Sequence, residues 1–373
     1  MLQSRVFFLL LAFIASSSIH LQEGYLGKQV DNLAPYWVWI WANFDGRHFL
    51  DIVTNGYQNF NFAFFPLYPL LVYLLNIIFK IPSLYAGILI SLVSFYLGLW
   101  VVYKIIRIDY PERLANFALI LLSFFPLAFF YQAVYPDSLF LLLSTSSFYF
   151  ARRGRWHLAG VFGGLTVLTR LSGLALLPAL AVEWYLQNEA LFKKKKFFIS
   201  KKSMMKFLKT GFIALSLTGL GIIIYMMYLQ IFFGDFLLFQ KSMIAWHQQR
   251  FIMPAQTIFR YIKILIYVDK HLLVYWIAIL ELATTILYIA LSIFVLKKVR
   301  LSYGVFMLVL LALISFTGVL AGTPRYILHL FPGFLGLALL IKDRKHVIFI
   351  TGVIYLILGF LLTGLFTRGY FVS

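Results

Sequence analysis

Apolar stretches of the length of a membrane-spanning helix recur along the whole chain. A helix needs roughly 20 mostly apolar residues to cross the hydrocarbon of a bilayer, and runs near this length predict about 11 spans. They lie near residues 5–20, 83–105, 114–131, 137–151, 156–170, 172–188, 211–233, 271–296, 303–321, 326–341 and 347–366. The pattern predicts an all-α integral membrane protein, a polytopic bundle that forms a single multi-pass domain over residues 1–373.

One apolar stretch, residues 62–79, does not fit a simple span. It carries Pro66 and Pro69 and is followed directly by Lys80. If it crossed, every later loop would change side, and the eight lysines between positions 193 and 209 would be translocated, against the tendency of basic loops to stay in the cytoplasm. We therefore expect residues 62–79 to form a re-entrant or juxtamembrane helix on the outer side.

The same charge rule orients the whole chain. Basic residues fill the short connectors around positions 104–113, 152–155, 297–300 and 342–345, so we place these connectors and the N-terminus in the cytoplasm. The outer side then receives residues 20–81, 135–137, 234–270 and 322–326. Because the chain has no N-x-Ser/Thr sequence, we favour a prokaryotic cell membrane with the site outside; in a eukaryote the site would face the lumen of the endoplasmic reticulum.

Composition narrows the classes of chemistry. With 62% hydrophobic residues, 12% charged residues and a mean hydropathy of +0.90, the chain is not a water-soluble domain. The absence of cysteine excludes disulfides, thiolate metal sites and a cysteine nucleophile. The net charge of +19 lies in the connectors, so we expect no nucleic-acid partner. No Gly-rich phosphate loop is present, which disfavours a soluble nucleotide sugar as substrate.

Asp45 is the first candidate for chemistry. It lies in the outer loop within an aromatic segment that includes Trp41, Phe44 and Phe49, and partial desolvation there would make a carboxylate a better base. The alternative is a helix N-cap at the water boundary, with the aromatic residues serving as an interfacial belt. Asp51 ranks lower because, on a helix, it would face another direction.

Other polar residues share this outer face. Asp137 follows Pro136 at the start of a span, where it could cap the helix or stand beside Asp45. Arg325 and Arg170 lie at outer turns, where each could bind a phosphate or simply snorkel to the interface. Glu281 falls within a span, as functional intramembrane carboxylates do, but has no obvious charged partner.

The histidines give no metal signature. His48, His247 and His329 are scattered among aromatic residues without a metal-ligand spacing, which indicates interfacial packing. We therefore predict no metal and no cofactor, and the sequence lends no support to a divalent ion.

A run of motifs resembles the PIG-V mannosyltransferases. Residues 41–57 read WANFDGRHFLDIVTNGY and residues 63–69 read AFFPLYP; the specific part is an Asp, a short aromatic run, Gly-Tyr and then Phe-Phe-Pro-Leu-x-Pro. Residues 133–140, AVYPDSLF, look like a second outer motif that usually reads Tyr-Ser/Thr-Glu, and residues 324–326 are similar to a late one. The chain departs from the family at Asn43-Phe44, where Arg-Trp is usual.

The resemblance implies a GT-C fold and an inverting hexosyl transfer, mannosyl in this family, from a polyprenyl phosphate to a lipid or glycan acceptor. It implies that Asp45 is the base and Asp137 its partner. It also divides the domain into a catalytic module, residues 1–233, which contains the outer loop 20–81, and C-terminal helices on the donor side, residues 234–373. Membrane lipids are expected to surround both parts. The expected substrate-binding residues are Arg325, Tyr326, Arg170, His48, Tyr57 and Tyr135.

Two other classes of function stay open. A transporter or flippase of lipid-linked sugars would explain the many spans and Glu281, and predicts paired charges near mid-bilayer and internal repeats. A structural subunit without activity would reduce Asp45 and Asp137 to helix caps.

Overall fold

The computed structural model describes residues 2–25, 34–188, 201–246, 248 and 251–372, and of residues 59 and 201–209 it describes the backbone alone. Helices and turns make up these residues, without a strand. The α-helices are α1 (Leu2–Ser18), α2 (Tyr36–Trp39), α3 (Asp45–Asn55), α4 (Leu67–Phe79), α5 (Ser83–Ile106), α6 (Glu112–Ser123), α7 (Asp137–Arg152), α8 (Trp156–Thr169), α9 (Leu176–Gln187), α10 (Lys201–Phe233), α11 (Leu238–Lys241), α12 (Pro254–Tyr267), α13 (Leu273–Lys298), α14 (Leu301–Ser315), α15 (Thr323–Tyr326), α16 (Phe331–Ile341) and α17 (Lys345–Thr367). The predicted all-α architecture is confirmed.

Long apolar helices identify the membrane-crossing part of the fold. Within the described residues, 4 helices are long and apolar enough to cross a bilayer, namely α5, residues 210–233 of α10, α13 and α17. A fifth span results if the bent pair formed by residues 323–329 and α16 is counted as one. Other apolar helices are shorter, at 10–17 residues. The count of about 11 spans therefore stays a prediction.

Prolines break two of the predicted spans. The stretch predicted as a span over 114–131 is helical only to Ser123 and resumes as a 3-10 turn at Ala128–Tyr131, because Pro126 disfavours helix in the residue before it. The stretch 326–341 bends by 87° before α16, whose first turn contains Pro332. Proline suits a first turn because its missing N–H has no partner to lose there.

The α-helix within residues 62–79 is short. Helix α4 has 13 residues, about 20 Å at 1.5 Å per residue, which is shorter than the hydrocarbon core of a bilayer. The Tyr68 hydroxyl lies 3.0 Å from the Gly87 carbonyl and 3.0 Å from Ser91 Oγ, so α4 returns alongside the first part of α5. This geometry agrees with the expected re-entrant or juxtamembrane helix.

Two charged clusters lie at opposite ends of the bundle. Helix α7 begins at Asp137, in the cluster described below, and ends at Arg152, which contacts Asp109 at 2.6 Å and Glu183 at 3.7 Å. Glu183 also binds Arg300 at 2.7 Å. The basic connectors near these residues are thus grouped at one end, as the charge rule requires. The side that this end faces stays a prediction; lysines 193–196 lie outside the described residues.

Arg5 lies in the interior rather than in an exposed connector. Its guanidinium donates to the carbonyls of Ala128 at 2.6 Å and Ser123 at 3.0 Å, and it stands 4.2 Å from the Phe95 ring centroid. These carbonyls border the break after α6, where the helix leaves acceptors without an intrahelical partner. Arg5 therefore stabilises the interruption that Pro126 creates.

Candidate active site

A backbone turn directs the Asp45 carboxylate into the protein. Phe44, just before α3, has φ 54° and ψ −116°, a region that non-glycine residues rarely adopt and that tends to occur at functional sites. Asp45 is then the first residue of α3, and its Oδ2 lies 2.8 Å from Arg325 Nη1. The residue in the N-cap position is Phe44. The carboxylate therefore makes a long-range ion pair in addition to any favourable interaction with the helix dipole.

The start of α3 packs tightly against the second outer motif. The Val134 N–H donates to the Trp41 carbonyl at 2.9 Å, and a Cβ at Gly46 would meet the Val134 carbonyl oxygen at 3.3 Å. The Tyr135 hydroxyl donates to the Asn43 carbonyl at 2.7 Å. These contacts place the turn at residues 133–137 beside Asp45, as the sequence predicted for adjacent outer motifs.

Asp137 is the centre of the charged cluster. Its side chain is fully buried, and its Oδ1 lies 3.0 Å from Arg170 Nη1, 3.0 Å from His329 Nε2 and 3.8 Å from Arg325 Nε. No side-chain cap hydrogen bond forms at the start of α7. Asp137 therefore acts as the shared anion of two arginines, a role that helix capping alone does not provide.

Arg325 joins the two carboxylates. It lies on α15, and its side chain is 7% exposed. Arg325 Nη1 contacts Asp45, and its Nε faces Asp137. Arg325 Cζ lies 5.2 Å from the Tyr135 ring centroid. A planar guanidinium can bridge two acceptors in this way, whereas an ammonium would act as a point charge.

Arg170 and Tyr326 close another side of the cluster. Arg170 sits in extended backbone between α8 and the following 3-10 turn, and its guanidinium lies 4.5 Å from the Tyr326 ring centroid. Cation–π contact of this kind holds a guanidinium in place while leaving donors for other partners. Tyr326 thus restrains one of the two cations that face Asp137.

His329 belongs to the site, although the sequence indicated only interfacial packing for it. The residue is fully buried, its ring stacks on Phe140 with centroids 4.1 Å apart, and Nε2 contacts Asp137. Among the described residues, Nδ1 of His329 and Oδ2 of Asp137 have no hydrogen-bond partner. The signal available in the sequence was the four-residue spacing from Arg325, although a 3-10 turn rather than a continuous helix connects the two.

Three other residues of the first outer loop lie away from the ion-pair cluster. Tyr57 packs in an aromatic group with Phe62 and Tyr225, and its hydroxyl donates to the Phe64 carbonyl at 2.7 Å. His48 Nδ1 lies 2.8 Å from Asn61 Oδ1. Asp51 accepts from the Asn61 and Asn55 amides at 2.5 and 2.7 Å. The contacts of Tyr57 are therefore packing contacts within this aromatic group.

A polar cavity of about 730 Å³ adjoins α3. Its lining includes Asn43 and Phe44, the two residues before Asp45, together with His48 and Asp51. Arg47, Thr54 and Asn55, on the same face of α3 as Asp51, also line it. Gln22, Tyr25 and Gly369 complete the lining outside α3. The cavity thus borders the backbone turn that precedes Asp45 and offers amide, hydroxyl, carboxylate and guanidinium groups.

No metal centre is evident in the described part of the chain. No three His, Asp or Glu side chains of the described residues are placed to hold one ion; His247 lies outside the described residues. The prediction of a metal-independent site is not tested by this finding.

Comparison with known proteins places the fold. The sequence model of the dolichyl-phosphate-mannose-protein mannosyltransferase family matches residues 66–218, which include Asp137 and Arg170 but neither Asp45 nor Arg325. The solved structure of ArnT from Cupriavidus metallidurans bound to undecaprenyl phosphate is similar, with a TM-score of 0.50 and 16% identity, over 91% of this chain and 60% of that chain. For apo ArnT from the same organism these values are 0.48, 16%, 91% and 59%. No curated protein matches the chain.

The similarity to ArnT bound to undecaprenyl phosphate shows that the chain has the GT-C fold of ArnT, that of a multi-pass membrane protein. The chain spans about three fifths of the length of ArnT. The GT-C fold implied by the sequence motifs is confirmed, whereas the particular resemblance to PIG-V stays a prediction.

Proposed function

We propose that the chain is a glycosyltransferase that moves a hexose from a polyprenyl phosphate to a lipid or glycan acceptor. The observation that carries this proposal is the bridge that Arg325 makes between Asp45 and Asp137. It puts a carboxylate that can take a proton beside cations that can bind a phosphate. The GT-C fold and the undecaprenyl phosphate bound to ArnT support a polyprenyl-phosphate donor.

The proton transfer falls to Asp45. Its side chain is 20% exposed, while that of Asp137 is fully buried, so Asp45 is the carboxylate that an acceptor can reach. Asp45 would accept the proton of the acceptor hydroxyl as that oxygen bonds to the anomeric carbon of the donor. The bond from this carbon to the phosphate oxygen breaks on the opposite face, which inverts the anomeric centre.

The leaving group is a phosphate monoester of the lipid, which departs without needing a proton. Its negative charge grows during the reaction, so cations placed in advance supply the main electrostatic stabilisation. Arg325 and Arg170 fill this role. Because Arg325 is paired with Asp45, binding of the donor phosphate would compete for the same guanidinium and release Asp45 to act as a base.

The acceptor would enter through the cavity beside α3. The cavity reaches Asn43 and Phe44 next to Asp45, and its polar lining suits a hydroxyl-rich group. His48, predicted from the sequence to contact substrate, is part of this lining. Mannose as the transferred sugar is supported by the PIG-V-like motifs and by the description of the family model that matches residues 66–218.

The test is transfer by the purified protein in lipid nanodiscs. Polyprenyl-phosphate mannose labelled in the sugar is supplied with a membrane lipid extract, and the labelled product is identified by mass spectrometry. Parallel reactions with glucose and galactose donors determine sugar choice. The expected result is a labelled glycolipid or glycan and release of polyprenyl phosphate. If no donor is consumed, the proposed transfer is wrong.

The alternative of a flippase is less well supported. That class predicts paired charges near mid-bilayer, whereas the ion pairs between described residues lie near helix ends or in connecting loops, in the two clusters and in local exposed pairs. Glu281, the carboxylate that suggested transport, binds the Tyr261 hydroxyl. Unchanged donor after incubation, together with donor movement between leaflets of a proteoliposome, would favour the flippase.

A further inference from the structure

Arg325 is held by a short helix that follows a loop. Helix α14 ends at Ser315, and α15 begins only at Thr323. The intervening residues turn at Gly318 and Gly322, whose φ angles of 85° and 81° favour glycine. Arg325 N–H donates to the Gly322 carbonyl at 2.9 Å, so the position of Gly322 sets the position of Arg325.

An amphipathic helix outside the charged cluster fastens this loop. Residues 252–261, which lie just before α12 and in its first half, make four hydrogen bonds with residues 315–320, the end of α14 and the loop after it. The Ile252 N–H donates to the Phe316 carbonyl at 2.9 Å, Thr257 Oγ1 to the Ser315 carbonyl at 2.9 Å and Arg260 Nη1 to the Gly318 carbonyl at 3.1 Å. The Leu320 N–H donates to the Tyr261 hydroxyl at 2.9 Å. Backbone groups along the loop thus take their partners from one segment.

Tyr261 connects the loop to the carboxylate of α13. Both Tyr261 and Glu281 are buried. Since the Tyr261 oxygen accepts from Leu320, its single proton is available to the Glu281 carboxylate, with which it hydrogen-bonds. Glu281 and Tyr261 therefore hold the loop at Leu320, whose carbonyl accepts from the Thr323 N–H at 2.9 Å at the start of the helix that carries Arg325.

We propose that Tyr261 and Glu281 are positioning residues that hold Arg325 between Asp45 and Asp137. Neither contacts the cluster itself; they act through Leu320, which hydrogen-bonds to the first residue of α15. The inference rests on the proposed function for its effect on catalysis, but its structural part concerns the loop alone. It assigns Glu281 a positioning role, which neither transport nor simple helix packing would require.

The variants separate positioning from packing. Tyr261→Phe keeps the ring but removes the hydroxyl that joins Leu320 to Glu281. Glu281→Ala removes the acceptor, whereas Glu281→Gln keeps an amide oxygen that can still accept from Tyr261. Tyr267→Phe is the matched control, because Tyr267 lies on the same helix and is 79% exposed.

Hydrogen–deuterium exchange of peptides covering residues 316–326 tests the loop without any activity. Tyr261→Phe and Glu281→Ala should raise the exchange rate there by about tenfold, the effect of losing one buried hydrogen bond. Glu281→Gln and Tyr267→Phe should leave it near the wild-type rate. Wild-type exchange in folded Tyr261→Phe protein overturns the proposal, whether or not transfer is ever detected.

Transfer kinetics then test the link to Arg325. Tyr261→Phe should lower kcat by roughly tenfold in the wild-type chain but have little further effect in Arg325→Lys protein, because both changes remove the same placement. Independent, multiplicative losses would show that Tyr261 acts elsewhere and overturn the proposal. A wild-type protein that consumes no donor contradicts the proposed function instead, and the exchange result still decides the positioning role.

Discussion

Asp45 and Arg325 lie at opposite ends of the sequence, yet their side chains meet at 2.8 Å. The same guanidinium faces Asp137, whose Oδ1 also contacts Arg170 and His329. Two carboxylates and two guanidiniums therefore share one largely buried cluster. Removing the charge of one member leaves its partners buried without a counter-charge, which is costly. Each member of the cluster can therefore be tested by its own substitution.

Replacing Asp45 by asparagine should abolish transfer without loss of folded protein. Asparagine retains the shape and an oxygen for Arg325 but does not act as a base, and general-base catalysis contributes about 100-fold to 10,000-fold in rate. The measurement is release of polyprenyl phosphate, with the gel-filtration profile checking the fold. Asp269→Asn, in an exposed loop of the predicted outer side, is the control. Near-normal transfer by Asp45→Asn protein would remove Asp45 from the role of base.

Replacing Arg325 by lysine tests whether the planar fork matters. Lysine keeps the charge but does not provide the guanidinium geometry that faces Asp45 and Asp137 together. We expect kcat/KM for the donor to fall by about 100-fold, as for loss of one preorganised donor to a developing anion. Arg155→Lys, exposed at the opposite end of the bundle, is the control. Equal rates for the two variants would show that charge alone suffices.

Replacing Asp137 by asparagine separates its ion pairs from helix capping. Asparagine caps helices about as well as aspartate, so a cap alone predicts little change. In the structure, this replacement instead leaves Arg170 and Arg325 without their shared anion. Breaking a buried ion pair in this way lowers the free energy of unfolding by about 3–5 kcal/mol. We expect a large fall in the thermal midpoint in detergent. A midpoint within a degree or two of wild type would support the capping role.

The cluster at the other end of the bundle predicts a dependence of stability on pH. Asp109 accepts two hydrogen bonds from Arg152 at 2.6 and 2.7 Å, and these hydrogen bonds lower the pKa of Asp109. A carboxyl group with a lowered pKa in the folded state stabilises the protein above its ordinary pKa of about 3.9. This contribution is lost as pH falls through the lowered value.

The variant Asp109→Asn should therefore be less stable than wild type at pH 7, with the two thermal midpoints converging as pH falls below about 4. Thermal unfolding in detergent between pH 7 and pH 3 measures the difference. Asp343→Asn, whose side chain is 85% exposed, is the control at the same end. A difference between wild type and Asp109→Asn that does not change with pH would contradict the ionic role.

The orientation of the chain can be measured directly because it contains no cysteine. Asp269→Cys and Asp343→Cys each introduce one thiol, in an outer loop and an inner connector of the predicted topology. In intact cells a membrane-impermeant maleimide should label Asp269→Cys, and Asp343→Cys should react only after the membrane is opened. The reverse pattern would place the charged cluster around Asp45 in the cytoplasm and exclude the proposed sidedness.

Local sequence patterns were sufficient for the helical membrane class and for grouping the chemistry at one face. Apolar length identified helices such as α5 and α13, and the parity of basic connectors kept residues 62–79 beside Asp45. These signals are local, because hydrophobic burial and loop charge act on each segment largely by itself. The same reasoning overlooked α12, whose apolar residues alternate with polar ones inside an outer loop.

Tertiary structure alone decided which polar groups meet. The bridge from Arg325 to Asp45 and Asp137, the contact of His329 with Asp137 and the hold of Tyr261 and Glu281 on the Arg325 loop join segments far apart in sequence. Such contacts depend on how whole helices pack and on where backbone breaks occur, and a residue's own neighbours carry little information about either. Sequence thus determined the fold class and the face of the site, while packing determined its ion pairs.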